Sequence, residues 1–140
     1  ANELQPGKRV RHTMNSPILM KNGQLWALLG TPGADNQVQV NAQLVSALVD
    51  FGCDPQAAVE YPRWSSNQVG QAGAASTNSN LVIETSFDTE ILSELRTLGH
   101  ELQPVAPLGG RGSAEIIRIF DNGLRAAGCD PRRDGWAAAY

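Results

Sequence analysis

Residues 28–49, LLGTPGADNQVQVNAQLVSALV, join an apolar run to a Gly-Pro-Gly turn and then to a helical pattern. The apolar residues after the turn recur at the spacing of one helix face: Val38, Ala42, Val45, Leu48 and Val49. Asp35 or Asn36 is predicted to cap this helix at its N-terminus, and Gly52 is predicted to end it. The stretch therefore predicts a strand, a tight turn and a helix in direct succession.

A β-hairpin is predicted immediately before this turn. Residues 16–30, SPILMKNGQLWALLG, place Asn22-Gly23 between two apolar runs, which is a strong signal for a two-residue hairpin turn. Neither run alternates cleanly between apolar and polar residues. This pattern predicts a sheet that is covered on both faces.

The remaining chain alternates helix and strand signals. Asp54-Pro55 starts a second helix that ends before Pro62, and residues 65–80 form a loop of small residues. Residues 81–87 predict a strand, and residues 88–99 a helix capped by Asp88 and ended by Gly99. Residues 100–107 and 114–128 predict three more strands, with a turn at residues 121–123. Residues 1–140 are thus expected to form a single α+β domain.

Composition excludes several classes of function. The chain has 140 residues, 41% of them hydrophobic, and a formal net charge of −3, so it lacks the basic character expected of a nucleic-acid-binding protein. No run approaches the ~20 apolar residues of a membrane-spanning helix. The polar first residues do not resemble a signal peptide, yet a mature chain would have lost one. Periplasmic, secreted and cytoplasmic locations all remain open.

The two cysteines, Cys53 and Cys129, each lie in a Gly-Cys-Asp-Pro tetrapeptide. They could form a disulfide, but two small buried apolar residues are the favoured interpretation. The sequence shows no metal-ligand spacing, and no cofactor is predicted.

The turn at residues 30–34 could carry chemistry. A strand that runs through a glycine turn into a helix points free backbone N–H groups outward, with the helix dipole behind them. Such groups can bind an anion or stabilise an oxyanion during acyl transfer. Neither a P-loop nor a dinucleotide-binding glycine pattern is present. The alternative interpretation is a plain strand–turn–helix corner.

Two further segments are rich in charge. Residues 8–13 hold three cations, His12 and Thr13, and could recognise a carboxylate or form a solvated arm. Residues 130–135, DPRRDG, predict an internally salt-bridged surface turn that pins the tail. A Ser-His-Asp triad is not supported, because the chain has only two histidines and no G-x-S-x-G motif. The sequence thus offers a candidate oxyanion hole and a candidate acid pocket but no nucleophile.

Together these motifs resemble the C-terminal part of the small subunit of the γ-glutamyltransferase (γ-glutamyltranspeptidase) family. Residues 6–24 are similar to the family's P-x-K-R-P-x-S-S-M-x-P-T segment and the following strand. Residues 30–64 are similar to its G-S-P-G-G loop, long helix and A-x-x-A-P-R-[FW] stretch. Residues 126–140 resemble its closing A-S-D-P-R-x-D-G-x-A-x-G-Y pattern.

The resemblance implies part of an N-terminal-nucleophile hydrolase with a four-layer αββα sandwich. In this family a proenzyme cleaves itself to expose a threonine, whose hydroxyl attacks a γ-glutamyl amide. Gly33 and Ala34 match the two glycines of the oxyanion hole, and alanine keeps its N–H. His12 and Thr13 match the paired serines that hold the γ-glutamyl α-carboxylate, with Arg11 beside them. Because His12 is larger than serine and can carry charge, a related acyl amide, such as a short dicarboxylic amide or a β-lactam side chain, fits equally well.

The family's nucleophilic threonine has no counterpart in residues 1–140. The chain is therefore expected to be a fragment, inactive alone, whose partners are the large subunit and the N-terminal part of the small subunit. Two alternatives remain: an α/β module that binds a small anion at the Gly33–Ala34 turn, and a structural interaction domain. Exposed sheet edges also predict self-association of the fragment.

Overall fold

The computed structural model describes residues 3–9, 12–66 and 80–139. Its helices and strands, in chain order, are β1 (Ile18–Lys21), β2 (Gln24–Gly30), α1 (Asn36–Val49), α2 (Pro55–Glu60), β3 (Trp64–Ser66), β4 (Asn80–Glu84), α3 (Thr89–Thr97), β5 (Glu101–Val105), β6 (Glu115–Ile119) and β7 (Arg125–Cys129). The fold is α+β, as predicted. Most of the loop predicted over residues 65–80 lies outside the described residues.

Four strands form an antiparallel sheet in the order β1-β2-β6-β7. The hairpin between β1 and β2 is confirmed, with φ of 52° at Asn22 and 77° at Gly23. A positive φ at both turn positions is the geometry that twists a two-residue hairpin in the same sense as its strands. The sheet places the end of β2 beside the start of β6, through the pairing of Gly30 with Glu115.

A second sheet has the order β3-β4-β5, with β3 antiparallel and β5 parallel to β4. Strand β3 was not predicted, because its three residues begin two positions after Pro62 and carry no periodic signal. Two glutamines one turn apart on α1 hold it in place. Gln43 exchanges hydrogen bonds with the backbone of Trp64 (2.9 and 3.1 Å), and Gln39 with that of Ser66 (3.2 and 2.8 Å).

The apolar core lies between the four-stranded sheet and helices α1 and α2. Its buried residues are Ala27, Leu29, Val40, Leu44, Ala47, Leu48, Ala58, Val59, Ala114 and Ile116. Helix α1 follows the predicted pattern only in part, since Val38 and Val49 are exposed while Val40 and Leu44 are buried. This offset arises because the sheet contacts a helix face rotated from the one that the sequence spacing suggested.

The helix ends agree largely with the sequence. Asp54 caps α2 by accepting hydrogen bonds from the backbone N–H groups of Gln56 and Ala57, both at 2.9 Å. Asp35 occupies the N-cap position of α1, but its side chain makes no capping hydrogen bond. Gly52 follows α1 with a φ of 66°, as expected of a residue that ends a helix.

The opposite face of the four-stranded sheet is only partly covered. Ile18, Leu28, Ile117 and Ala127 are register neighbours across the four strands. Ile18 is 62% exposed and Ile117 is 41% exposed. The prediction of two covered faces is therefore wrong within the described residues, because both helices that pack on this sheet lie on its other side.

Cys53 and Cys129 are both free and partly exposed. The prediction of two fully buried residues was thus too strong, and no disulfide joins them. Among the described residues, no helix has the length and apolar character required to cross a membrane.

Candidate functional site

The turn between β2 and α1 has an unusual backbone. Gly33 has a φ of 135° and Ala34 a φ of 48°, and both residues are exposed. Positive φ is rare for a residue with a Cβ atom and costs about 1–2 kcal/mol per residue in the left-handed region. Two hydrogen bonds from α1 stabilise the turn. The Gly33 carbonyl accepts from the Asn36 N–H at 2.9 Å, and the Ala34 carbonyl accepts from the Gln37 N–H at 3.2 Å.

The backbone N–H groups of Gly33 and Ala34 donate no hydrogen bond to any group in the described part of the chain. They stand immediately before the first turn of α1, a helix of 14 residues. Exposed donors at this place, with the helix dipole behind them, have the chemistry of an anion or oxyanion site. That these donors form an oxyanion hole stays a prediction.

The segment that carries His12 and Thr13 is tied to α1. The Asn15 N–H donates to Oε1 of Gln37 at 2.7 Å, and Nδ2 of Asn41 donates to the Asn15 carbonyl at 2.9 Å. This segment therefore runs beside the first turns of the helix that begins at the Gly33–Ala34 turn.

Both predicted acyl-pocket residues on this segment are exposed. The His12 ring lies close to its own backbone, with Nδ1 3.2 Å from the Met14 carbonyl. Arg11 lies outside the described residues. Farther along the arm, Lys8 folds back on its own segment and donates to the Glu3 carbonyl at 3.1 Å.

The DPRRDG segment is not the surface turn that the sequence predicted. Asp130 and Arg132 are buried and form an ionic cluster with Arg63 and Glu84. Arg132 bonds to both oxygens of Glu84 at 2.7 Å, and Arg63 bonds to Asp130 at 2.7 Å. The predicted internal bridge does exist, between Arg132 and Asp130 at 3.0 Å. The sequence could not show this burial, because the charged partners lie far away along the chain, in the link between α2 and β3 (Arg63) and in β4 (Glu84).

Backbone groups satisfy the remaining donors and acceptors of this cluster. The Val59 carbonyl accepts from both arginines, at 3.2 Å from Arg63 and 2.8 Å from Arg132. The Asp130 carboxylate also accepts from the Ala114 N–H at 2.9 Å. Buried charges are tolerated when they are paired and hydrogen-bonded in this way. The cluster thus joins the chain after β7 to α2, β4 and the start of β6.

The pKa values of the two carboxyls follow from this arrangement. Burial alone would raise the pKa of Glu84, but hydrogen bonds from Arg132 and the Gly110 N–H bring it below its usual value. Burial likewise opposes the charged form of Asp130, yet hydrogen bonds from the Arg132 N–H and the Arg63 charge lower its pKa. Burial lowers the pKa of Arg63, with a contribution from the neighbouring Arg132 charge. Both carboxyls are therefore held ionised.

Two cavities among the described residues lie away from the Gly33–Ala34 turn. One, of about 580 Å³, opens beside the β1–β2 turn and is lined by residues that include Trp26 and Phe120. Another, of about 430 Å³ and more apolar, lies between α1 and α3. Neither is lined by Gly33, Ala34, His12 or Thr13. The turn is thus an exposed surface that belongs to neither cavity.

The sequence and fold were compared with those of known proteins. The model of the gamma-glutamyltranspeptidase family matches residues 1–140. The glutathione hydrolase-like YwrD proenzyme of Bacillus subtilis is 32% identical over 139 residues, which are 97% of this chain and 25% of that protein. The oxamate amidohydrolase proenzyme of Klebsiella pneumoniae is 33% identical over 98% of this chain and 25% of that protein. The chain spans about a quarter of the length of these relatives.

Solved structures agree with the sequence comparisons. The cephalosporin acylase of Bacillus halodurans matches with a TM-score of 0.83 at 34% identity, over 98% of this chain and 24% of that one. The Helicobacter pylori gamma-glutamyltranspeptidase T380A mutant matches with a TM-score of 0.76 at 20% identity, over 93% of this chain and 66% of that one. The second match shows the fold alone, which is that of an N-terminal-nucleophile hydrolase. On the family model and these relatives, the chain belongs to the gamma-glutamyltranspeptidase family.

Proposed function

We propose that residues 1–140 are part of an amide hydrolase or acyltransferase and supply its oxyanion hole. The observation that carries this proposal is the exposed Gly33–Ala34 turn, whose two N–H groups have no acceptor among the described residues. The family assignment supplies the reaction class. The large subunit and the N-terminal part of the small subunit are the proposed partners. Residues 1–140 act with them and form a single domain that is a fragment of the small subunit.

In the proposed reaction, a threonine hydroxyl from outside this chain attacks the carbonyl carbon of an amide substrate. The N–H groups of Gly33 and Ala34 donate to the oxygen as it becomes negative. The C–N bond then breaks, the amine leaves with a proton, and an ester links the acyl group to the threonine. Attack by water releases the acid, whereas attack by an amine transfers the acyl group.

His12, Thr13 and Arg11 are proposed to hold a carboxylate on the acyl part of the substrate. The hydrogen bonds of Asn15 to α1 support this role, because they keep the segment close to the first turns of the helix. The two relatives described above include an oxamate amidohydrolase, and the matching structures include a cephalosporin acylase. We propose an acyl group that carries a carboxylate, of the γ-glutamyl, glutaryl or oxalyl type, where oxamate is the simplest oxalyl amide.

The first experiment is N-terminal sequencing and intact-mass analysis of the purified full-length gene product. We expect two chains, the smaller beginning with a threonine upstream of Ala1. Hydrolysis of γ-glutamyl, oxalyl (oxamate) and glutaryl amides is then compared, with hydroxylamine added to trap the acyl group. An uncleaved product without amide activity that binds a small anion would support the anion-binding module instead.

The second experiment tests the oxyanion hole directly with Gly33→Ala and the control Gly30→Ala. Alanine at position 33 has space, but it disfavours the φ of 135° and so turns the donors away. Gly30 has no such φ, and a Cβ atom there would meet nothing within 4 Å. We expect Gly33→Ala to lower turnover by about 10²–10³-fold and Gly30→Ala to retain it. Equal turnover in both folded variants would contradict the assignment.

The acyl pocket is tested by the paired change His12→Ser and Thr13→Ser. We expect the ranking of the three amides to change toward the γ-glutamyl substrate, with little change in melting temperature, because both side chains are exposed. An unchanged ranking would remove these residues from the pocket.

A further inference from the structure

We propose that Thr31 and Gly112 are positioning residues for the Gly33–Ala34 turn, and that the buried ionic cluster anchors the segment that contains Gly112. This inference rests on the proposed function. It assigns a supporting role in catalysis to the loop between β5 and β6. That loop does not itself supply the oxyanion donors.

One end of residues 110–112 is fixed by the cluster. The Gly110 N–H donates to Oε1 of Glu84 at 2.8 Å, and Glu84 is fully buried. The same carboxylate oxygen accepts from Nε of Arg132 at 2.7 Å. A Cβ atom at position 110 would also lie 3.3 Å from the Arg63 side chain. The segment therefore begins at a fully paired, buried charge and has little freedom to shift.

The other end of the segment packs against the residues that lead into the turn. A Cβ atom on Gly112 would lie 3.0 Å from Oγ1 of Thr31 and 3.3 Å from Cγ2 of Val40, and 3.7 Å from the Pro32 carbonyl oxygen. Thr31 is itself buried, and its hydroxyl donates to that Pro32 carbonyl at 3.0 Å. Gly112 thus lies against Thr31 and Pro32, the two residues immediately before Gly33. A larger residue at position 112 would have to displace its neighbours.

This packing determines how precisely the oxyanion donors are oriented. Thr31 and Pro32 connect the end of β2 to the exposed donors, so any shift of these two residues is transmitted to the donors. Displacement of a catalytic group by about 1 Å can cost about 100-fold in rate. Donors whose orientation is already fixed by the surrounding protein need not reorganise as negative charge develops on the substrate oxygen. The cluster and Gly112 give the turn this fixed support.

The experiment uses Gly112→Ala in the full-length protein, with Gly123→Ala as a matched control. The two glycines have nearly the same φ, 83° and 82°, so alanine meets the same backbone strain at each. At position 123, however, a Cβ atom has nothing within 4 Å. We expect both variants to lose thermal stability, and Gly112→Ala to lose more, because its Cβ atom also crowds Thr31 and Val40. Gly112→Ala should also lose about 10- to 100-fold in kcat with KM nearly unchanged, whereas Gly123→Ala should keep its kcat.

A second pair covers the case in which Gly112→Ala does not fold. Thr31→Val keeps the shape of the side chain but removes the hydroxyl that bonds Pro32, and Thr31→Ser keeps the hydroxyl. We expect kcat to fall for valine and to recover for serine. Wild-type kcat in Thr31→Val, or equal kcat in Gly112→Ala and Gly123→Ala, would overturn the inference. If Gly33→Ala lowers turnover while these variants do not, the positioning role alone fails; if Gly33→Ala is fully active, the proposed function fails.

Discussion

Ala34 is the residue whose conformation departs most from its chemical preference at the candidate site. It has the left-handed φ of 48° at a position where the family pattern places glycine. A methyl side chain tolerates this region at a cost, whereas a β-branched side chain is strongly disfavoured there. The strain is local and is compensated by the carbonyl bonds to the first turn of α1.

Substitutions at Ala34 should separate backbone strain from donor chemistry. We expect Ala34→Gly to change the free energy of unfolding by less than about 1 kcal/mol and to retain turnover, because glycine accepts the same φ. Ala34→Val should lower both the free energy of unfolding and the turnover. Urea unfolding and steady-state hydrolysis of the best amide are the measurements. A fully active, equally stable valine variant would show that position 34 does not need a left-handed backbone.

Single residues were predictable where a local motif defined them. The Gly33–Ala34 turn and the Asp54 cap follow from short sequence patterns, and the structure has the expected local geometry at both. Arg63 and Glu84 were not found as a pair. Their contacts with Asp130 and Arg132 join parts of the chain that lie 48 to 67 residues apart. In the sequence, Arg63 and Glu84 resemble ordinary surface charges. Only their ion pairs in the folded protein identify them as buried.

At the scale of elements, glutamine side chains cover two strand edges. Gln39 and Gln43 bond the backbone of β3, and Gln56 bonds both the N–H and the carbonyl of Cys129 in β7, at 3.0 and 3.1 Å. A primary amide presents an N–H donor beside a carbonyl acceptor, as a neighbouring strand does. These side chains therefore close edges that would otherwise pair with another chain.

Removal of the α1 glutamines tests this covering of β3. We expect Gln39→Ala with Gln43→Ala to cost about 0.5–1.5 kcal/mol for each hydrogen bond lost and to increase self-association through β3. The control is Gln24→Ala at an exposed position of β2. Chemical denaturation and concentration-dependent light scattering are the measurements. Unchanged stability and a constant molar mass would mean that water replaces the amides without loss.

Element order was largely predictable because most helices and strands carry their own caps, turns and apolar runs. Strand β3 was the exception. Its three residues form a strand only when β4 pairs on one side and the α1 glutamines on the other. Those interactions are tertiary, so no periodic pattern within residues 64–66 could reveal them. Self-association of the fragment stays a prediction, with β1 and β5 as the sheet edges that remain.

At the scale of the whole molecule, the buried ionic cluster makes stability depend on acid. Glu84 and Asp130 have pKa values held below their usual values, so the folded state binds protons less readily than the unfolded state. Their contribution is complete above the unfolded values near pH 4 and is lost as the pH falls further, through the folded values.

We therefore expect the melting temperature of the full-length protein to be nearly constant from about pH 7 to pH 5 and to fall below about pH 4. Glu84→Gln should be much less stable at neutral pH, since it leaves the charge of Arg132 partly unpaired. It should also lose part of the acid dependence. Glu94→Gln, an exposed change on α3, is the control. The same acid profile in wild type and in Glu84→Gln would contradict this account.

The uncovered face of the four-stranded sheet predicts where the rest of the enzyme packs. An apolar row of this kind is stable when another layer buries it. We expect Ile117→Lys to lower the melting temperature of the full-length protein by several degrees more than Leu98→Lys. In residues 1–140 alone, Leu98 is the more exposed of the two, at 69%. The reverse order would indicate that the face stays in water.

The ionic cluster also sets an order of events during synthesis. Arg63 and Glu84 leave the ribosome well before Asp130 and Arg132, so for that interval the earlier pair lacks its partners. Burial of unpaired charge is costly, and the early residues must therefore remain hydrated while translation continues. We therefore expect α2 and β4 to reach their final packing only after Arg132 has emerged. The cluster thus couples the packing of segments made earlier to the later appearance of residues 130–132.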